Sequence, residues 1–353
     1  MRLPTPRPFD TDAAARASAH LDRLAKPRGS LGKLESVATW WCGCTGHPAR
    51  APARARLYLF AGDHGVVSEG VSCYPPEVTA QMVRNLLAGG AAANVFARHH
   101  GVELAVVDVG VADPLAGAAD TAHARFHGRK VRAGTANFVS TPAMTRDEAE
   151  QAVAVGVALA AEAEAEGVEI LCAGEMGIGG TTAAAAVLSA VAAMPGKLTA
   201  GRGTGVDDAG LRRKIAAIDA GIALHRPERD DAVGILCAVG GLEIAAIAGL
   251  CLGGAAAGVP VLLDGFISTA GGLVASVLNP DVTPFLLVSH RSAENAHWAM
   301  SRYLRKEPLH DLDMRLGEGT GAVMAVDTVR LAARLLGEMT TFEAGGVSEP
   351  GGG

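Results

Sequence analysis

Three glycine-rich segments of the 353-residue chain hold the residue types that bind anions or move protons. The first, Gly174-Glu175-Met176-Gly177-Ile178-Gly179-Gly180-Thr181-Thr182, follows an apolar run and precedes an Ala-rich one. Glycines at a strand–helix junction let backbone N–H groups approach a phosphate, and the helix dipole adds to the attraction. A tight structural turn uses glycine in the same way. The segment has neither G-x-G-x-x-G nor the GK[ST] ending of a P-loop, so both readings stay open. The second, GRGTGVDD over 201–208, opens a helix carrying Arg212, Arg213 and Lys214. Asp207 or Asp208 suits a helix N-cap. A Mg²⁺–diphosphate loop also uses paired Asp, but no apolar strand precedes this pair. Lys214 lies a turn or more along the helix, where it can meet a phosphate as a point charge. The third, Leu316-Gly317-Glu318-Gly319-Thr320-Gly321, sets one carboxylate between glycines. Partial desolvation would raise its pKa towards working pH and make Glu318 a general base. A surface-loop glutamate is the alternative.

Smaller groups complete the inventory. Asp63-His64-Gly65 ends an apolar run, and adjacent side chains in extended backbone point apart, which favours a structural or substrate-positioning role. In Ser289-His290-Arg291-Ser292 the hydroxyls suit phosphate or ribose, and Arg291 suits pairing with a core carboxylate. Tyr74-Pro75-Pro76 forms a rigid turn before a helix that contains Gln81. The sequence has no serine nucleophile elbow, HExxH or acidic metal cluster. The six cysteines (42, 44, 73, 172, 237 and 251) form no CxxC pair. They are expected to be reduced core residues in a cytoplasmic protein.

The elements that must carry these loops follow from patterning. Asp10, Thr11 or Asp12 caps a helix over Ala13–Leu24, a second helix covers Leu34–Trp41, and a Pro/Arg linker follows over 47–52. Short apolar runs then recur: Arg56–Ala61, Val102–Val109, Val168–Ala173, Val259–Leu263 and Phe285–Ser289. Ala232–Val239 reads as a strand or a helix start. The runs are continuous, as in strands buried on both faces. Between them lie helical stretches over Glu77–His100, Thr145–Glu166, Thr181–Ala193, Asp208–Leu224, Leu242–Ala257 and Ser292–Leu304, with another over Gly321–Glu338. Strand and helix in alternation predict an α/β fold with a parallel sheet and helices on both faces. Each run ends in glycine or polar residues, which is where such sheets bind ligands.

Composition narrows the function. Lys+Arg of 31 against Asp+Glu of 37 gives a net charge of −6, which argues against a general nucleic-acid binder. With 3 Trp, 3 Tyr and 8 Phe, stacking platforms for single strands are scarce. The N-terminus has no apolar signal-peptide core. Ile244–Leu263 is uncharged over a membrane-spanning length, but Gly253, Gly254, Gly258 and Pro260 interrupt it. A buried helix, a loop and a buried strand fit better.

The longer motifs are more specific. KPRGSLGKLE (26–35), DHGVVSEGVSCYPPEVTAQMV (63–83), GGAAANVFARHHG (89–101), VVDVGV (106–111), GTANF (134–138), GEMGIGGTT (174–182), GRGTGVDD (201–208), AVGGLEIAAIAG (238–249), DGFISTA (264–270), SHRSAE (289–294) and LGEGTGA (316–322) run through nearly the whole chain. In type and order they closely resemble the nicotinate-nucleotide–dimethylbenzimidazole phosphoribosyltransferase family, which makes α-ribazole phosphate for the lower ligand of cobalamin. The resemblance implies a Rossmann-like α/β domain over 53–304, a small helical domain from 1–52 and 305–345, a flexible tail over 346–353, and a homodimer. It implies Glu318 as general base and Glu175 as a second acid–base group. Phosphate and ribose contacts fall on Gly177, Gly203, Lys214 and Ser292. Tyr74 and Gln81 fall in the base pocket. Met176 and Leu316 could wall a flat slot for the benzimidazole, and Gly319 belongs to the loop of the base. One departure stands out: the family pattern GEMGIGNTT has Asn where this chain has Gly180.

The implied chemistry needs no cofactor and no metal. Nicotinate leaves from a cationic ring nitrogen and departs neutral, so it requires no general acid. Inversion from β to α suits a single displacement, and the acceptor sheds only its N–H proton. Two other classes of function remain in view. A nicotinamide-dependent oxidoreductase lacks its G-x-G-x-x-G. A nucleotide-binding sensor with a dead site would be expected to have lost Glu318.

Overall fold

The computed structural model describes residues 2–46 and 50–348. The linker expected over 47–52 falls outside them at 47–49, and the tail expected over 346–353 falls outside at 349–353. Helices α1 (Thr11–Leu21) and α2 (Lys33–Thr45) precede β1 (Ala55–Gly62). Then come α3 (Val78–Leu87), α4 (Ala92–His100), β2 (Glu103–Gly110), β3 (Arg125–Gly128), α5 (Arg146–Ala165) and β4 (Ile170–Met176). A run of helices follows: α6 (Gly180–Ala192), α7 (Gly196–Thr199), α8 (Asp208–His225), α9 (Ala232–Val239) and α10 (Leu242–Ala257). The chain goes on through β5 (Val261–Leu263), α11 (Phe266–Leu278), β6 (Leu286–Val288), β7 (His290–Arg291), α12 (His297–Tyr303) and β8 (His310–Asp311). It ends in α13 (Thr320–Glu338) and α14 (Phe342–Gly345).

The main sheet is parallel throughout, in the order β3-β2-β1-β4-β5-β6. This is the doubly wound arrangement, with the order reversing between β1 and β4. The strands are continuously apolar because both faces are covered. Leu57, Leu59 and Ala61 of β1 join a core with Val323, Val326 and Val329 of α13. Tyr58 and Phe60 point the other way, into a core with Ile244, Ile247 and Leu250 of α10. On that face α5 and α10 meet backbone to backbone: a Cβ on Gly249 would run into the Val153 carbonyl, and one on Gly156 into that of Ala246. Alanine and glycine dominate these helices because larger residues would force them apart. Asp10, Thr145, Asp207 and Asp231 cap α1, α5, α8 and α9 through side-chain acceptors. The capping role settles the reading of Asp207 within the second glycine segment.

Several sequence expectations need correction. The helical stretch over Glu77–His100 is two helices, broken where Gly89 turns left-handed (φ 84°). Ala232–Val239 is helical, since Asp231 caps it. Of the cysteines, 42, 44, 172 and 251 are buried, Cys237 is half-buried and Cys73 is exposed, so not all six are core residues. Arg291 pairs with exposed Asp311 rather than with a core carboxylate. The uncharged stretch over Ile244–Leu263 resolves into α10, a left-handed cap at Gly258, and β5. No helix among the described residues is long and apolar enough to cross a membrane.

Candidate active site

A cleft opens beyond the carboxyl ends of β4, β5 and β6. The turn after β4, the β5–α11 junction, the stretch after β6 and the loop before α13 meet there, joined by residues 71–72, 203–204 and Lys214 of α8. Glu175, Met176, Gly177, Gly203, Lys214, Ser292, Leu316 and Glu318 all line it. Gly319 lies just behind, its N–H donated to Asp264 Oδ2 (3.0 Å). Leu316 stands at the mouth, 57% exposed. Tyr74 and Gln81 stand apart from this lining. Tyr74 is 50% exposed, although its neighbours Val71 and Ser72 reach the cleft. Gln81 faces a separate depression with Asp63, Arg84 and Asp113.

Glu318 is held in an unusual backbone state. Gly317, Glu318 and Gly319 all have positive φ (85°, 60° and 76°). Glycine takes this region freely, whereas a glutamate there is strained. The loop is also pressed close: a Cβ on Gly174 would lie 2.7 Å from the Gly319 nitrogen, and one on Gly317 would lie 2.5 Å from Glu175 Oε1. The two acidic segments therefore interlock, and the strain turns the Glu318 carboxylate inward. Its side chain is nearly buried, and Oε2 accepts the Ala93 N–H at the start of α4 (3.2 Å). Burial raises the Glu318 carboxyl above its usual range, the Ala93 N–H opposes this, and the Asp264 charge adds to it. Glu175 is raised further, by burial first and then by the charges of Glu243, Asp264 and Glu318. The cleft thus holds two carboxyls whose surroundings favour the neutral form, Glu175 more strongly than Glu318.

The opposite wall carries a buried lysine. Lys214, 1% exposed, donates to Thr181 Oγ1 (2.8 Å) beside Gly203. Burial lowers its pKa to about 8, with partial relief from the Glu294 charge. Glu294 in turn accepts the Gly203 N–H (2.7 Å) and so fixes the second glycine loop. Arg315 donates to the Gly203 carbonyl from the other side (3.0 Å). Ser292 is set by His297, whose Nδ1 accepts the Ser292 N–H (3.0 Å) and whose Nε2 meets Thr269 Oγ1 (3.0 Å). Burial and then His290 push the His297 pKa down to about 3. The ring is therefore neutral, with its proton on Nε2.

Comparison with known proteins follows the same lines. A family model described as phosphoribosyltransferase matches residues 7–347. The chain belongs to this family. It is 50% identical over 341 residues to the nicotinate-nucleotide–dimethylbenzimidazole phosphoribosyltransferase of Roseiflexus sp. (strain RS-1), covering 97% of this chain and 95% of that one. It is 48% identical over 342 residues to the protein of the same name from Chloroflexus aggregans (strain MD-66 / DSM 9485), covering 97% and 96%. The crystal structure of CobT from Thermus thermophilus superposes with a TM-score of 0.90 at 45% identity, covering 96% of this chain and 99% of that one.

Within this phosphoribosyltransferase fold, some residues of the site escaped the sequence reading. Asp264 holds the Glu318 loop, Glu294 and Arg315 hold Gly203, and His297 holds Ser292. The first three act on segments 55 to 112 residues away, whereas His297 acts on Ser292 from five residues on. The signal available was only a polar residue just after an apolar run, as in Leu263-Asp264. At the family's Asn position, a Cβ on Gly180 would lie 3.1 Å from Ile267 Cδ1, 3.4 Å from His64 Nε2 and 3.8 Å from Glu243 Oε1.

Proposed function

We propose that this chain transfers the phosphoribosyl group of nicotinate mononucleotide to 5,6-dimethylbenzimidazole, releasing nicotinate and giving α-ribazole 5′-phosphate for cobalamin. The observation that carries the reading is the strained, inward-turned Glu318 sharing one cleft with the Lys214–Thr181–Gly203 anion wall. The phosphate would sit against that wall and the ribose towards Ser292. One imidazole nitrogen attacks C1′ as the C1′–nicotinate bond breaks. The bonding electrons stay with the departing pyridine nitrogen. The proton on the acceptor's other nitrogen passes to Glu318, so the product and nicotinate leave without further charge transfer. Attack on the face opposite the leaving group gives the α-anomer in one displacement. Burial and its acidic neighbours favour the neutral form of Glu175, which would offer a hydrogen-bond donor to a cleft that must take two anionic substrate groups. Tyr74 and Gln81 are assigned to the approach of the base. A homodimer acting in the cytoplasm completes the reading; six scattered cysteines without a CxxC pair suit that compartment.

The test is a chromatographic assay with purified protein, nicotinate mononucleotide and dimethylbenzimidazole in excess EDTA. Nicotinate and α-ribazole phosphate are expected in equal amounts, because a cationic leaving group needs no metal to depart. A strict Mg²⁺ requirement would overturn this mechanism. Binding of the nucleotide without release of nicotinate would favour another acceptor base or a sensor.

Lys214 gives a second expectation. Its ammonium is charged below about pH 8. Affinity for the nucleotide should therefore hold at neutral pH and weaken as pH rises past that value. Lys214→Met should raise the dissociation constant roughly 10–100-fold, the worth of one charge-assisted hydrogen bond. It should also flatten the alkaline loss. Calorimetric titrations at pH 7 and 9 check both.

A further inference from the structure

Behind the turn at Gly177–Gly180 lie two ionisable side chains that the chemistry above leaves unused. His64 is 4% exposed and Glu243 is fully buried. His64 Nε2 lies 3.0 Å from Glu243 Oε1. The contact sets the buried imidazole against the buried carboxylate at hydrogen-bonding distance. Burial alone would push His64 down, but the charge of Glu243 and its hydrogen bond, aided by the Asp63 charge, take it above its usual range. An apolar pair of similar volume would serve the fold at least as well as a buried ion pair. Its location suggests another purpose.

The pair sits in a cage of glycine backbone. A Cβ on Gly62 would lie 3.3 Å from Glu243 Oε2, and one on Gly241 would lie 2.5 and 2.6 Å from the two Glu243 oxygens. Across the cage, a Cβ on Gly177 would lie 3.3 Å from His64 Nε2, and one on Gly179 would lie 3.0 Å from His64 Cβ. Gly177, Gly179 and Gly180 line the cleft with their other side. One thickness of backbone therefore separates the ion pair from the space beside Thr181 and Lys214.

We propose that His64 and Glu243 are a positioning pair for the phosphoribosyl donor, clamping the Gly177–Gly180 turn from behind so that it and Thr181 keep their places around the nucleotide. The inference rests on the phosphoribosyl-transfer reading of the cleft. Three of its four residues are glycine, which makes the turn thin enough to lie on the pair; Ile178 is anchored by its N–H to Thr79 Oγ1 (3.1 Å), and the glycines rely on the pair for stiffness. Glu243 comes from α10, and His64 follows β1. The clamp therefore joins the end of β1 to the start of α10 behind the turn, without touching the substrate.

The test uses Glu243→Gln and His64→Gln in the full chain, with nucleotide binding by calorimetry and steady-state kinetics for each substrate. Each variant keeps volume and loses the charge attraction. The Kd and KM for nicotinate mononucleotide are expected to rise about tenfold, with a smaller change in kcat and no change in the KM for dimethylbenzimidazole. Glu243→Asp should recover part of the affinity. A nucleotide Kd within about threefold of wild type in a folded variant would overturn the proposal. So would a uniform loss in kcat and both KM values that tracks a fallen melting temperature. Should a single variant fail to fold, the double variant His64→Gln/Glu243→Gln has no unpaired buried charge. Wild-type nucleotide affinity in it would overturn the proposal equally. If wild-type protein itself neither binds nor consumes the nucleotide, the functional reading falls, and the clamp with it. Normal wild-type binding unchanged in the variants sinks the clamp alone.

Discussion

Replacing Glu318 with Gln is expected to lower turnover by two orders of magnitude or more, the scale of general-base catalysis, and to leave folding and nucleotide binding nearly intact. Gln matches the shape of Glu, and its amide oxygen can still accept the Ala93 N–H that Glu318 Oε2 accepts at 3.2 Å. It meets the same strain at φ 60°. The change therefore removes the ability to take a proton and little else. The pH profile supplies an independent check. Burial raises the Glu318 carboxyl, and the base must be ionised to act. The wild-type rate should therefore fall as pH drops through that raised value, whereas the residual Gln rate should not follow that limb. Steady-state kinetics from pH 5 to 9 with unchanged calorimetric binding would separate this from a folding defect. Wild-type turnover in the variant would remove Glu318 from its assigned role.

The contrast between Glu318 and its neighbours explains how far the sequence could be read. Glu318 is legible because two glycines bracket it: a lone carboxylate in a loop with that much backbone freedom is itself a signal. The core strands are legible because burial on both faces leaves continuous apolar runs, and each run ends where the ligand cleft begins. β3 is not, because Arg125–Gly128 at the sheet edge carries Arg and His and is only partly covered. The end of α3 was missed because Gly89-Gly90 interrupts an otherwise helical pattern without a proline. The supporting shell was the least legible part. Glu294 meets Gly203 across 91 residues and Arg315 meets it across 112. No local pattern encodes such pairs; they exist only once the sheet order has brought the loops together. His64 and Glu243 have the same character, joining two segments that one sequence pass treats separately.

Asp264 is where this long-range support carries the greatest weight, and Asp264→Ala is expected to damage both stability and catalysis. Its Oδ2 accepts the Gly319 N–H (3.0 Å), and its Oδ1 accepts those of Gly321 (2.7 Å) and Ala322 (3.3 Å). One carboxylate from the end of β5 thus caps α13 and fixes the residue next to Glu318. His290 Nε2 lies 3.5 Å from Oδ1, and although burial opposes it, the Asp264 charge raises the His290 pKa above its usual range. Alanine would strand three buried N–H groups and leave the imidazole without its counter-charge. Breaking a buried charged pair on one side costs about 3–5 kcal/mol, visible as a lowered denaturation midpoint. Turnover should fall as well, because a base displaced by even about 1 Å loses roughly a hundredfold. Asp264→Asn should lie between, since its single amide oxygen can replace only part of the cap. The two variants then separate two kinds of residue. Glu318→Gln loses turnover at full stability, whereas Asp264→Ala loses both together. A stable Asp264→Ala protein with unchanged turnover would mean that the strained Gly317–Gly319 loop is held by its glycines and the contact with β4 alone.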